Sequence, residues 1–226
     1  MSLTLDKLKR VGFTKIKCLL IAIVMANFSI GQVKKAYDLA ELAAEGKLER
    51  TSTHQEIKAF INPVIRAISV KGIAWLSGVD FTKGTIDIDL RGRNIFLQSF
   101  MGIAFHGLDT LQYEVVYFCP FRFRDSDEVT RKYSVKYMSL PGKDYLTLRK
   151  EFPGVYENQI ASAPSGDEWF HARIVVDADS VAVFINHTET PCLKVRRLGQ
   201  LKSGKIGLWS YSKTLDSDFA SLSIGP

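Results

Sequence analysis

The chain has 226 residues, 46% of them hydrophobic, with 30 basic and 24 acidic side chains and a net charge of +6. Five basic groups and one acidic group fall within residues 1–31, so the rest of the chain carries only +2. That near-neutral body offers no concentrated basic face for nucleic acid, and its length suits one sandwich-sized core with little room for a second domain.

Lys7, Lys9, Arg10, Lys15 and Lys17 precede the apolar run from Cys18 to Ala26. The run is too short to span a bilayer as a mature helix and has the length of a signal-peptide core. Ser29 and Gly31 are small residues just before Gln32, so residues 1–31 are expected to be a signal peptide cleaved after Gly31. An exported protein follows, periplasmic or extracellular, with no stable membrane insertion after cleavage. An uncleaved anchor is the alternative. A lipoprotein anchor fits less well, because Cys18 follows Ile16 and Lys17. Beyond the leader only Cys119 and Cys192 remain. They either pair, which needs Cα atoms within about 7 Å, or stay as two free thiols.

Residues 32–45 read as an N-terminal tail or short helix, with Tyr37, Leu39 and Leu42 as apolar anchors. From Gly46 onward, through residue 226, short apolar runs alternate with turn residues. KLERT, IRAISVKGIAWL, GTIDIDLRG, KYSVKYMSL, WFHARIVV, SVAVFIN, CLKVRRL, KIGLWSYS and FASLSI, with the block Ser99–Arg124, make roughly ten strands. ARIVV and VAVFIN, separated by Asp177-Ala-Asp-Ser180, read as a hairpin. The irregular stretch from Pro141 to Gly166 holds a helical turn in YLTLRKEF and then a loop of a length that is often functional. So many strands with so little helix predict an all-β, two-sheet antiparallel sandwich or jelly roll.

The block SFMGIAFHGLDTLQYEVVYFCPFRFR sets Ile103 and Phe105 against Ala104 and His106, then Tyr113, Val115 and Tyr117 against Glu114, Val116 and Phe118. Both faces carry bulky groups, as in a strand with a core on one side and a ligand-accessible surface on the other. On this alternation His106 sits opposite Phe105, near Asp109, where an imidazole would bond a sugar hydroxyl or act as a base. A strand-end histidine bonded to backbone is the simpler reading. Tyr113, Tyr117, Tyr133 and Tyr137 have one parity, and their phenol rings suit the apolar faces and polar rims of sugars. Arg122, Arg149 and Glu157 would add directional hydrogen bonds, while Trp75, Trp169 and Trp209 look like core. His54, His171 and His187 lack metal-ligand spacing, so no metal is assigned. Asp125-Ser126-Asp127-Glu128 and Asp216-Ser217-Asp218 offer oxygens of the kind calcium takes, but ordinary charged turns explain them more simply.

GIAWLSGVDFTKGTIDIDL, FMGIAFHGLD, YEVVYFCPFRFR, VKYMSLPGKDYLTLRKEFPGVYE, DEWFHARIVVDADSVAVFIN and GKIGLW, in that order, resemble an exported family of concanavalin A-like sandwiches. It is close to the 3-keto-disaccharide hydrolase-like domain and loosely tied to family 16 glycoside hydrolases. The resemblance runs from about Gly46 to the C-terminus and is most specific in YEVVYFCPFRFR and LRKEFPGVYE. It implies a concanavalin A-like jelly roll that acts on a saccharide; the side chains read above then give His106, Asp109, Tyr117, Arg122, Tyr137, Arg149 and Glu157 as the expected substrate-binding set. The chain departs from the pattern at Cys119, where arginine is common, at Arg122, where asparagine is common, and at SYSKTLDSD, which replaces a Gly/Asn/Ser-rich run. The carboxylate pair that retaining cleavage requires, about 5–5.5 Å apart, has only Asp87 and Asp89 as its nearest counterpart. Those two look like the solvent face of an antiparallel strand. A glycoside hydrolase, with His106 as the catalytic candidate, is one expectation. The others are a non-catalytic lectin-like module on the same face and a structural or adhesive sandwich.

Overall fold

The computed structural model describes residues 33–51, 55–62, 64–212 and 217–226. The expected leader, His54 and Asp216 lie outside them. In chain order the strands are β1 (Lys35–Tyr37), β2 (Leu48–Arg50), β3 (Ile57–Ile61), β4 (Arg66–Val70), β5 (Gly72–Phe81), β6 (Gly84–Arg91), β7 (Met101–Gly107) and β8 (Tyr113–Phe118). They continue as β9 (Val135–Leu140), β10 (Glu157–Asn158), β11 (Phe170–Val176), β12 (Ser180–Ile185), β13 (Leu193–Arg196), β14 (Gly204–Ser210) and β15 (Ser217–Gly225). Among the described residues three short α-helices interrupt them: α1 (Leu39–Ala44), α2 (Glu128–Arg131) and α3 (Tyr145–Glu151).

All pairings are antiparallel and make two sheets. One runs β13-β12-β11-β6-β15-β4-β3, with β1 added on β15; the other runs β10-β9-β8-β7-β14-β5-β2. The expected jelly-roll sandwich is therefore present, and β11 pairs β12 as the expected hairpin. The segment read as a tail or short helix holds both β1 and α1. Asp38 caps α1 by accepting the N–H groups of Ala40 and Glu41. Among the described residues no helix is long and apolar enough to cross a membrane.

The alternation of β6, β11 and β12 explains which faces meet. Ile86, Ile88 and Leu90, Ala172, Ile174 and Val176, and Val181, Val183 and Ile185 are fully buried, while the residues between them face outward. Phe118 from the other sheet meets the Phe170 ring edge-on at 5.1 Å between centroids. The seven-stranded sheet differs, because every residue of β7 and β8 is buried. Its inner face joins the core, and its outer face is covered by aromatic side chains arriving from loops and helices.

Candidate functional site

The covering is incomplete. On the outer face of the seven-stranded sheet lies a cavity of about 440 Å³, within the roughly 300–1,000 Å³ common for small-molecule sites. Its floor is Tyr113 and Tyr117 of β8, Lys136 and Met138 of β9 and Trp209 of β14. Register brings them together: Tyr117 stands opposite Lys136 on one side and Gly102 on the other, and Gly102 stands opposite Trp209. Only glycine fits at 102, since a Cβ there would come within 2.0 Å of the Val116 carbonyl oxygen. The walls are Phe100 ahead of β7, Phe121 and Arg122 in the 3-10 turn after β8, Tyr133, Tyr211, and Asp144, Tyr145 and Arg149 around α3.

The rings interlock. Tyr117 tilts against Trp209 at 5.1 Å, Phe100 meets Phe121 edge-on at 5.3 Å, and Trp209 stacks on Tyr211 at 6.3 Å. Trp209 Nε1 donates to the Tyr113 hydroxyl at 3.2 Å. Burial lifts the phenols of Tyr113 and, more strongly, Tyr117 above their usual pKa of 10. Both are neutral hydroxyls at physiological pH, able to donate and to accept.

Charge enters from one wall. Asp144 caps α3 by accepting the N–H groups of Leu146 and Thr147, each at 2.9 Å, and so presents the helix to the cavity. Arg149, on the last turn, lies 3.9 Å over the Tyr133 ring. It donates to both oxygens of Glu157 at 2.9 and 2.8 Å, a bidentate pair that holds its guanidinium still. Glu157 stands opposite Lys136 across β10 and β9, and Lys136 Nζ is 3.5 Å from Glu157 Oε2. Burial lowers the Lys136 pKa from its ordinary 10.5, with the neighbouring Arg149 charge adding to the effect and Glu157 opposing it. Arg122 is paired with Asp125 at 2.6 Å and lies 5.3 Å from the Phe121 ring.

Of the expected site residues, the structure brings Tyr117, Arg122 and Arg149 to the cavity wall, with Glu157 directly behind Arg149. The other three sit elsewhere. Asp109 shapes the β7–β8 turn, accepting the N–H groups of Leu111 and Gln112 at 2.7 and 2.9 Å. Tyr137 stands opposite Val116 and so belongs to the inner face. Its one-parity grouping with Tyr117 does not survive the register between the two strands. His106 is only 1% exposed and, contrary to the alternation, shares the inner side with Phe105. Between the Ala104–Gly207 and Gly107–Lys205 pairs, Phe105 and His106 together face the single residue Ile206. This bulge, with His106 at φ 48°, turns the imidazole inward onto Phe81.

There His106 is part of a buried polar cluster. Its Nδ1 lies 2.8 Å from Glu114 Oε1 and its Nε2 2.7 Å from the Thr82 carbonyl oxygen. Glu114 also accepts from the Tyr137 hydroxyl and, at 3.3 Å, from the Gly199 N–H, and the Tyr137 oxygen accepts from the Leu198 N–H at 2.8 Å. Arg197 Nε is 3.1 Å from Glu114 Oε1, outside hydrogen-bonding geometry, while its other nitrogens donate to the carbonyls of Ala178, Gly199 and Leu201. The cluster fastens the segment 197–201 to the inner face; it does not open to the cavity.

The remaining candidates have structural partners. Asp87 accepts from Lys34, Arg173 and His171, and Asp89 from His171, on the outer face of the eight-stranded sheet. Asp125 holds Arg122 and Asp127 caps α2, while Asp218 accepts from Ser69 and Arg91. No group of three or more metal-binding side chains occurs among the described residues. Cys119 and Cys192 are free thiols, pushed by burial to pKa values of about 11 and about 12, so neither is a thiolate nucleophile at neutral pH. Trp75 is core, as expected; Trp209 lines the cavity, and Trp169 is half-buried beneath the Arg91 guanidinium. Lys136, Asp144 and Tyr145 are cavity residues that the sequence reading passed over. The available signal was a lysine sharing strand parity with Met138 and Leu140 in SVKYMSL.

No protein-family model matches the chain, and no curated protein matches it. Solved structures do. The carbohydrate binding module CBM66 from Bacillus subtilis is 8% identical, covering 76% of this chain and 92% of its own, with a TM-score of 0.52. A Bacillus subtilis protein of unknown function with a galectin-like fold is 12% identical over 85% and 98%, with a TM-score of 0.47. A Bacillus licheniformis β-glucanase is 8% identical over 80% and 83%, with a TM-score of 0.44. The likeness to the carbohydrate binding module is one of fold: two antiparallel sheets packed as a sandwich.

Proposed function

We propose that this chain binds a saccharide in the aromatic cavity on the seven-stranded sheet. The observation that carries the reading is the make-up of that cavity, with tyrosine and tryptophan faces for sugar rings beside fixed guanidinium and phenol groups for hydroxyls. A fold shared with a carbohydrate binding module agrees with saccharide binding. Tyr117, Arg122 and Arg149 are the contact residues in this reading, and Glu157 positions Arg149. We further propose that the protein works outside the cytoplasm after loss of residues 1–31.

Binding without turnover is favoured by the carboxylates. Among the described residues Asp144 is the one carboxylate lining the cavity and is engaged by the first turn of α3, while Glu157 is held by Arg149. Hydrolysis of a 3-keto-disaccharide-like glycoside is the second reading. It is favoured by the convergence of YEVVYFCPFRFR and LRKEFPGVYE, the stretches that most resemble that family, on one cavity. Titration calorimetry of the purified protein against neutral, oxidised and acidic disaccharides, with chromatography of the products, tests both. Saccharide binding lost in Tyr117→Ala, without product release, is the expected result; product release would establish the second reading, and no binding to any saccharide would overturn both.

A further inference from the structure

Lys136 is 7% exposed, yet its ammonium is poorly matched. Among the described residues Glu157 is the one carboxylate within 4.0 Å of Nζ, at 3.5 Å, and both Glu157 oxygens already accept from Arg149 at 2.9 and 2.8 Å. The rest of its surroundings are ring faces, with Tyr133, Tyr145 and Tyr117 centroids 5.2, 5.3 and 5.9 Å away. Ring faces attract a cation but give it no hydrogen-bond acceptor of carboxylate strength. Two cations thus share one anion behind the cavity wall, and burying an incompletely paired charge is costly. The one carboxylate on the cavity side, Asp144, forms no ion pair with Lys136 and gives its Oδ1 to two backbone N–H groups. Lys136 is therefore left with a share of Glu157, and the space beside it is the cavity itself.

We propose, resting on the saccharide reading above, that the sugar this cavity takes is acidic and carries a carboxylate that seats against Lys136, with Arg149 alongside. A carboxylate there accepts hydrogen bonds from Lys136 beyond the one contact with Glu157 that the described residues give it. The tyrosine faces are left to hold the ring that bears it. Arg122, already satisfied by Asp125 at 2.6 Å, is a rim contact without this role.

The test is calorimetric titration of the full chain with digalacturonate and with the neutral digalactose of the same linkage, at two salt concentrations. The acidic sugar should bind at least tenfold more tightly, and the difference should shrink at high salt. Lys136→Gln should abolish the preference, and Arg122→Gln, whatever it costs in overall affinity, should retain it. Should Lys136→Gln fail to fold, the salt dependence of the intact protein still decides. Equal affinity for the two sugars, or a preference that survives Lys136→Gln, overturns the inference and leaves the saccharide reading standing. Absence of binding by either sugar, and by the wider disaccharide panel, overturns both.

Discussion

Tyr117 and Tyr137 lie on opposite faces of one sheet, and Tyr137→Phe separates what those faces do. The ring of Tyr137 stays packed near Tyr156, at 5.9 Å between centroids, so only the hydroxyl is lost. That hydroxyl donates to the buried Glu114 carboxylate and accepts the Leu198 N–H at 2.8 Å. A hydrogen bond to a charged group contributes about 1.5–3 kcal/mol, and leaving a half-buried N–H unpartnered costs about 1 kcal/mol more. The variant should therefore lose about 3 kcal/mol, which at roughly 2–4 °C per kcal/mol for a domain of this size lowers Tm by about 6–12 °C. Urea unfolding followed by tryptophan fluorescence measures the first figure, and a thermal melt the second. Saccharide affinity should not change, because the hydroxyl points away from the cavity. A loss below about 1 kcal/mol would refute the claim that the Glu114 cluster secures segment 197–201, and an affinity loss at unchanged stability would refute the assignment of faces.

Gly199→Ala should cost about 2–3 kcal/mol in the same urea assay, because a Cβ there would lie 2.1 Å from the Glu114 carboxyl carbon while His106 and Tyr137 fix that carboxyl in place; an unchanged midpoint would show that it moves freely. Lys136→Met should leave stability unchanged or raise it by about 1 kcal/mol, as replacing an ill-paired buried charge often does, whereas a clear loss would make Lys136 a structural partner of Glu157. The His171 pKa is raised above its ordinary 6.5 by its hydrogen bond to Asp89 and then by Asp87. Its stabilisation is thus complete below pH 6.5 and lost as pH rises through the raised value. The Tm gap between the native protein and His171→Gln should accordingly narrow from pH 6 to pH 9, and parallel curves would contradict this. Native Cys119 and Cys192, with thiols pushed to about 11 and about 12, should resist a disulfide reagent at pH 7.5 and react fully in urea.

What could be read in the sequence divides by how locally each feature is determined. The alternation in GTIDIDL, WFHARIVV and SVAVFIN needs only the period-2 geometry of a strand, so β6, β11 and β12 and the sandwich they imply were legible. β1, β3 and β10 were not: they are short, and β1 and β10 take their regularity from distant partners, as when Lys35 pairs with Ile224 and Glu157 with Lys136. The cavity shows the same division within a single site. Tyr113 and Tyr117 share a strand and hence a face, so that half was legible. Relating Tyr117 to Tyr137 required the β8–β9 register, which sets Lys136, not Tyr137, opposite Tyr117.

One bulge near the end of β7, a two-against-one pairing at Ile206, puts His106 on the inner face against the simple alternation. Two charges that interrupt apolar runs nevertheless carried information. Glu114 in YEVVYF and Lys136 in SVKYMSL are charged residues at buried positions, and each needs a reason to be there. For Glu114 the reason is internal, since His106, Tyr137 and the Gly199 N–H all meet its carboxylate. For Lys136 the described residues supply one carboxylate, shared with Arg149 and 3.5 Å away, and the open side of the ammonium faces the cavity. The same physical rule that identifies Glu114 as an anchor of the fold thus identifies Lys136 as the residue whose partner comes from outside it.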